Sequence, residues 1–172
     1  TIEPIFNAGN HSLEVLRLLM IAYSSVDKYE EQIDISKTLI EEYSKLSIGY
    51  EALSFAYLEV GEKVNALNIL HQALNKFPNE VTFPHTIANI YYQSKNYTQA
   101  EKYFMISLGI NPQMFMIQHT LAIMFEEIED TDRSDSLFNQ IIIQNENDAV
   151  GLNDYAYILS ERNNSSLHEL NY

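Results

Sequence analysis

The chain has 172 residues, 46% apolar and 20% charged, with 24 acidic side chains against 10 basic ones. That length suits a single domain with a core of its own. Its formal net charge of −14 excludes nucleic acid as a partner class, because phosphate backbones are held by clustered lysine and arginine. No apolar run approaches the ~20 residues that span a bilayer, so no membrane insertion is expected.

The sequence holds no cysteine, which removes disulfides, thiolate metal sites and cysteine nucleophiles and leaves the compartment open. It has only 5 glycines and 4 prolines, which favours helices joined by short turns. Taken in chain order, apolar residues recur three and four positions apart. That spacing predicts one set of helices at 12–25, 47–60, 81–94, 115–128 and 149–161. A second set alternates with it at 28–44, 63–76, 97–109 and 131–144, with a further helix starting at 165–171. The sequence opens on Thr1 and ends soon after that last start, so a longer parent protein is expected.

The alternation has a period. Pro78 and Pro112 lie 34 apart, as do Ala66 and Ala100, Tyr57 and Tyr91, Ser54 and Ala88, and Leu53 and Ile87. Each unit reads as a helix with a large apolar residue, a small one and an aromatic. A turn follows, then a second helix with A-x-x-x-large, then proline. This pattern resembles the tetratricopeptide repeat (TPR), a 34-residue helix–turn–helix. The clearest copy has Ile87, Ala88, Tyr91, Ala100, Phe104 and Pro112. The copy before it has Tyr50, Leu53, Ser54, Tyr57, Ala66, Leu70 and Pro78. The copy after it keeps Leu121, Ala122, Phe125 and Phe138 but shows Ser134 and Glu146 for alanine and proline. The first copy fits at Leu16, Leu19 and Tyr23 and departs at Met20, Gln32, Ser36 and Ser44. A last half-copy offers Leu152, Tyr155, Ala156 and Leu159. Its run LNDYAYILSERN is similar to first helices common in bacterial members of the family.

The resemblance implies an all-α fold, a right-handed α-solenoid of antiparallel helix pairs. It has about four and a half units at 13–46, 47–80, 81–114, 115–148 and 149–172, forming one array over 1–172. The small columns have a physical purpose. Helices approach to about 8 Å only where side chains are small. Ser54, Ala88, Ala122 and Ala156 should therefore face Ala66, Ala100 and Ser134. Met20 and Gln32 should leave the first pair wider or differently packed.

In this family the first helices line a concave groove that holds peptides or partner helices. Residues there should be Arg17, Ile21 and Ser24, then Ile48, Glu51, Phe55 and Leu58. Next come His85, Thr86, Asn89 and Tyr92, and after them His119, Thr120, Ile123 and Glu126. Asn153, Asp154 and Tyr157 end the set, with Glu161 at the rim. This lining has aromatic and aliphatic anchors, neutral polar groups and acid, but no lysine. A carboxylate clamp for acidic tails is therefore not expected, and an apolar or basic peptide suits the surface better.

Candidate chemistry is sparse. His85 and His119 share a column, but residues of stacked repeats sit about 8–10 Å apart. Nitrogens sharing a zinc ion lie about 3–4 Å from each other, since each is near 2.1 Å from the metal. No metal site is expected. Counted from Asp130, the acidic run at 126–135 puts Asp135 and Ile141 where a calcium loop needs glycine and glutamate, so it reads as a solvated turn. No nucleophile elbow, phosphate-binding glycine loop or H-E-x-x-H occurs. The expectation is a non-catalytic scaffold without a cofactor that binds a protein or peptide. The alternatives are a self-associating homo-oligomeric module or the regulatory arm of a larger enzyme. A related RNA-reading helical repeat is disfavoured by the 34-residue period and the acidity.

Overall fold

A computed structural model of the chain describes residues 6, 9, 11–144 and 149–169, with side chains up to residue 163. Among the described residues the regular structure is α-helical. We number the helices α1 (Leu13–Ser24), α2 (Tyr29–Glu42), α3 (Ile48–Glu59), α4 (Lys63–Lys76) and α5 (Thr82–Gln93) in one compact unit, Thr1–Asn96. A second unit, Tyr97–Tyr172, holds α6 (Tyr97–Ile110), α7 (Phe115–Glu127), α8 (Thr131–Gln144) and α9 (Ala149–Glu169). The first eight begin and end within two residues of the spans expected from the sequence.

The turns explain that agreement. Asp27, Gly61, Lys95 and Glu129 all take a left-handed backbone, with φ of 58°, 81°, 56° and 62°. They stand 34 residues apart. In each turn the next N–H reaches back to the carbonyl five residues earlier: Lys28 to Tyr23, Glu62 to Tyr57, Asn96 to Tyr91 and Asp130 to Phe125. These bonds are 2.9, 2.7, 2.9 and 2.9 Å long. This is the Schellman arrangement, which satisfies carbonyls that a helix end otherwise leaves unpaired. The repeat is thus written in backbone hydrogen bonds as well as in side chains. Pro84 fits the first turn of α5, where its missing N–H has no intrahelical partner to lose.

Packing follows the small and large columns within each unit. Ser54 and Ala66 are buried where α3 meets α4, and Ala122 and Ser134 where α7 meets α8. Leu70, Phe104 and Phe138 are fully buried, each worth roughly 1.5–3 kcal/mol of apolar burial. Phe138 takes Tyr155 stacked at 4.9 Å and His119 edge-on at 5.7 Å. Gly49 permits a close approach of α3 to α2. A Cβ there would stand 2.9 Å from Ile40 Cγ1 and 3.2 Å from its backbone nitrogen.

The end of the second unit departs from expectation. The sequence reading placed a helix at 149–161 and a new helix start at 165–171, whereas α9 runs unbroken through Glu169. The next position in the turn series is Asn163, and it stays helical. A left-handed turn costs a non-glycine residue roughly 1–2 kcal/mol. The turns at Asp27 and Glu129 recover that cost when the following helix packs back. Among the described residues no helix packs back on α9, so continuing the i→i−4 hydrogen bonds is favoured. For the same reason Ala156, expected in the small seam, is exposed, as are Leu152 and Leu159 beside it. Residues 170 and 171 of the expected last helix lie outside the described residues.

Candidate functional site

In the first unit the expected site residues lie on α1, α3 and α5. Arg17 and Ile21 are exposed on α1, while Glu51 and Leu58 are half-buried on α3. Phe55 is 42% exposed, a high value for a phenylalanine, and its ring meets Tyr29 edge-on at 6.0 Å. Tyr29 in turn donates its hydroxyl hydrogen to Asp27 at 2.7 Å. That carboxylate pushes the phenol up to about 12, so Tyr29 is a neutral buttress. Glu51 and Phe55 form the ridge between two hollows. One, of about 480 Å³, is lined by Met20, Ile21, Ser24, Gln32, Ile48 and Ala52 among others. The other, of about 210 Å³, is lined by Leu58, Leu70, Phe83 and Thr86 among others.

On α5, Asn89 Nδ2 donates to His85 Nε2 at 3.1 Å, and burial pushes the imidazole below its ordinary range. A neutral imidazole with Nε2 as acceptor is the form that this bond requires. Tyr92 is half-buried one turn further along. Met20 and Gln32 were noted in the sequence only as departures from the small columns. The structure makes both of them walls of the larger hollow.

In the second unit the expected residues lie on α7 and α9. Tyr157 is 65% exposed, and Ile123 is half-buried. His119 Nε2 stands 3.0 Å from the Asp154 carboxylate, with the imidazole mostly covered. Glu126 does not face solvent as a free acid. Arg162 on α9 grips both of its oxygens, through Nε at 2.8 Å and through Nη2, and also donates to Asp135 at 2.8 Å. The guanidinium hydrogen bonds hold the Glu126 carboxyl below the usual carboxylate range. Sequence reasoning missed Arg162. Its signal was present: it is the single lysine or arginine after Arg133, in helical register with the inward-facing Gly151, Tyr155 and Ile158. Among the described residues no three His, Asp or Glu side chains gather where they could hold a metal ion. No described helix is long and apolar enough to cross a membrane.

No protein-family model matches the sequence, and no curated protein does. Solved structures do. A crystal structure of MamA superposes with a TM-score of 0.75 at 16% identity, over 86% of this chain and 86% of that one. A thermophilic TPR protein of Thermus thermophilus gives 0.67 at 19% identity, over 92% and 87%. A tetratricopeptide repeat protein from Parabacteroides merdae gives 0.70 at 22%, over 90% of this chain and 61% of that one. The fold is that of the tetratricopeptide repeat. At such identities TPR likeness speaks for the architecture. The period of 34 and the turn hydrogen bonds give its physical basis in this chain.

Proposed function

We propose that the chain is a non-catalytic protein-interaction scaffold, and that its first-helix faces hold an extended peptide or a partner helix. The observation that carries this reading is Phe55, a partly exposed aromatic standing between two apolar hollows beside the Glu51 carboxylate. Aromatic anchors flanked by hollows that exclude water are where interface energy concentrates. His85, Asn89 and Tyr92 on α5 supply polar groups that orient a peptide backbone. On the second unit His119, Ile123 and Tyr157 offer a comparable surface. Glu126 stands at its edge, already neutralised by Arg162, and Arg17 belongs to the surface of the first unit. The preferred partner is apolar or basic, given a net charge of −14.

The test is an affinity capture with the wild-type chain, followed by titration of the recovered partner. Phe55→Ala and Tyr92→Ala should each weaken binding at least tenfold with the helical circular dichroism unchanged. Lys102→Ala, on a second helix, should change it less than twofold. Release by the Lys102 change with indifference to both aromatic truncations would move recognition to the other face.

A second reading, self-association, is favoured by the apolar row Leu152, Ala156 and Leu159 left uncovered on α9. Light scattering over a concentration series distinguishes it. A mass that rises with concentration and falls back in Leu159→Lys would support assembly through α9.

A further inference from the structure

The first repeat inverts the TPR size pattern. In the other repeats the seam holds serine or alanine on both helices, with a large residue one turn further along the second helix. Here Met20 and Gln32 fill the seam, and Ser36 stands where Leu70, Phe104 and Phe138 stand in the later copies. Three consequences are visible together. A hollow of about 480 Å³ opens between α1 and α3. Gln32, which lines it, is 97% buried, and its Oε1 has no hydrogen-bond partner. One turn further on, the fully buried Ser36 hydroxyl has none either.

A buried polar atom without a partner loses its hydration and gains nothing in return, which is destabilising. There are two in this repeat, and the one on Gln32 belongs to a wall of the open hollow, which marks that wall as built to receive a hydrogen bond. The chemistry of the walls says from what. Met20, Ile21, Ile48 and Phe55 are apolar, whereas Gln32 Oε1 and the Glu51 carboxylate are acceptors. Glu126 and Asp154 already have Arg162 and His119 beside them, but Glu51 makes no ion pair among the described residues. The terminal torsion of glutamine is soft, so the amide oxygen turns into the hollow at little cost. Apolar walls leading to two acceptors fit a side chain with a hydrocarbon stem and a cationic tip.

We propose that the hollow between α1 and α3 is a pocket for one cationic side chain, lysine or arginine, of a bound peptide. The stem packs on Met20 and Phe55, and the head group donates to Gln32 Oε1 and Glu51. This deepens the peptide-binding reading above and rests on it, adding a specificity-determining position to it.

Methionine methyl resonances report on the pocket directly. Of the five methionines only Met20 belongs to the first unit, the others being Met105, Met114, Met116 and Met124. The probes are capped pentapeptides of leucine and alanine with a central lysine, norleucine or glutamate, titrated into the full chain. The lysine peptide should shift the Met20 ε-methyl signal and bind at least fivefold more tightly than the norleucine peptide. Gln32→Leu and Glu51→Gln should each bring that ratio below two. Gln32→Leu removes a buried unpaired amide, so it should melt no lower than the parent, and Glu51→Gln lies on the rim. Equal affinity for lysine and norleucine peptides would overturn the pocket, as would a lysine preference that survives both substitutions. If all three peptides bind equally and lose affinity in Tyr92→Ala, the pocket falls and peptide binding stands. If none of the three binds, both fall.

Discussion

Three of the four left-handed turn residues carry a Cβ, and only Gly61 suits its backbone without strain. Relief of about 1–2 kcal/mol, less the greater entropy of glycine in the unfolded chain, leaves a net gain of about 0.5–1 kcal/mol. Urea denaturation of Lys95→Gly and Glu129→Gly should show it, and unchanged midpoints would mean that the turns are relaxed by other contacts. The small seam is sensitive in the opposite direction. Ala88 and Ala100 are fully buried, so Ala88→Leu and Ala100→Leu should each destabilise by about 1–3 kcal/mol through overpacking. His85 carries a pH signature. Burial depresses its folded pKa, so the unfolded chain takes up the proton first. Stability from this group is complete above about pH 6.5 and declines as pH falls through the depressed value. His85→Gln should flatten that part of a melting-temperature profile.

Among the elements, α9 is tied to its neighbours by Tyr155, Asp154 and Arg162. Arg162 reaches from it to Glu126 on α7 and Asp135 on α8, with about a quarter of the guanidinium exposed. Removing it leaves two carboxylates facing each other across the helix junction. Arg162→Met should therefore speed amide exchange in 149–163 while 63–76 is unaffected. The pH dependence has a definite sign. The folded pKa of Glu126 is lowered, so its contribution is present above about pH 4.3 and is lost as pH falls through the lower folded value. In Glu126→Gln the acid limb of the denaturation curve should be shallower. The legibility of the elements differs for the same reason. The ends of α1 to α8 could be read from the sequence because each first helix closes in a turn repeated every 34 residues. The end of α9 could not, because helix propensity alone does not choose between stopping at Asn163 and continuing.

At the scale of the whole molecule, the excess of 14 negative charges opposes compaction, and on the proposed function it would favour basic partners. Raising ionic strength from ~0.01 M to ~0.15 M shortens the screening length from about 30 Å to about 8 Å. The melting temperature of the free chain should therefore rise with salt, while affinity for a lysine-bearing peptide should fall. A partner whose binding is indifferent to salt would be held by apolar contact alone.

The sequence by itself determined the helical repeat, its period, the helix boundaries through α8 and the small columns, because each is a local rule written again every 34 residues. It also named Glu51 and Phe55 as outward-facing, since helical register decides which side chains share a face. Only the tertiary structure decided which acids are neutralised and where the array opens. Arg162 meets Glu126 across 36 residues of chain, and no periodicity announces such a pair. The hollow beside Gln32 depends on how Met20, Gln32 and the side chains of α3 pack together. That arrangement is settled by the packing of several side chains at once.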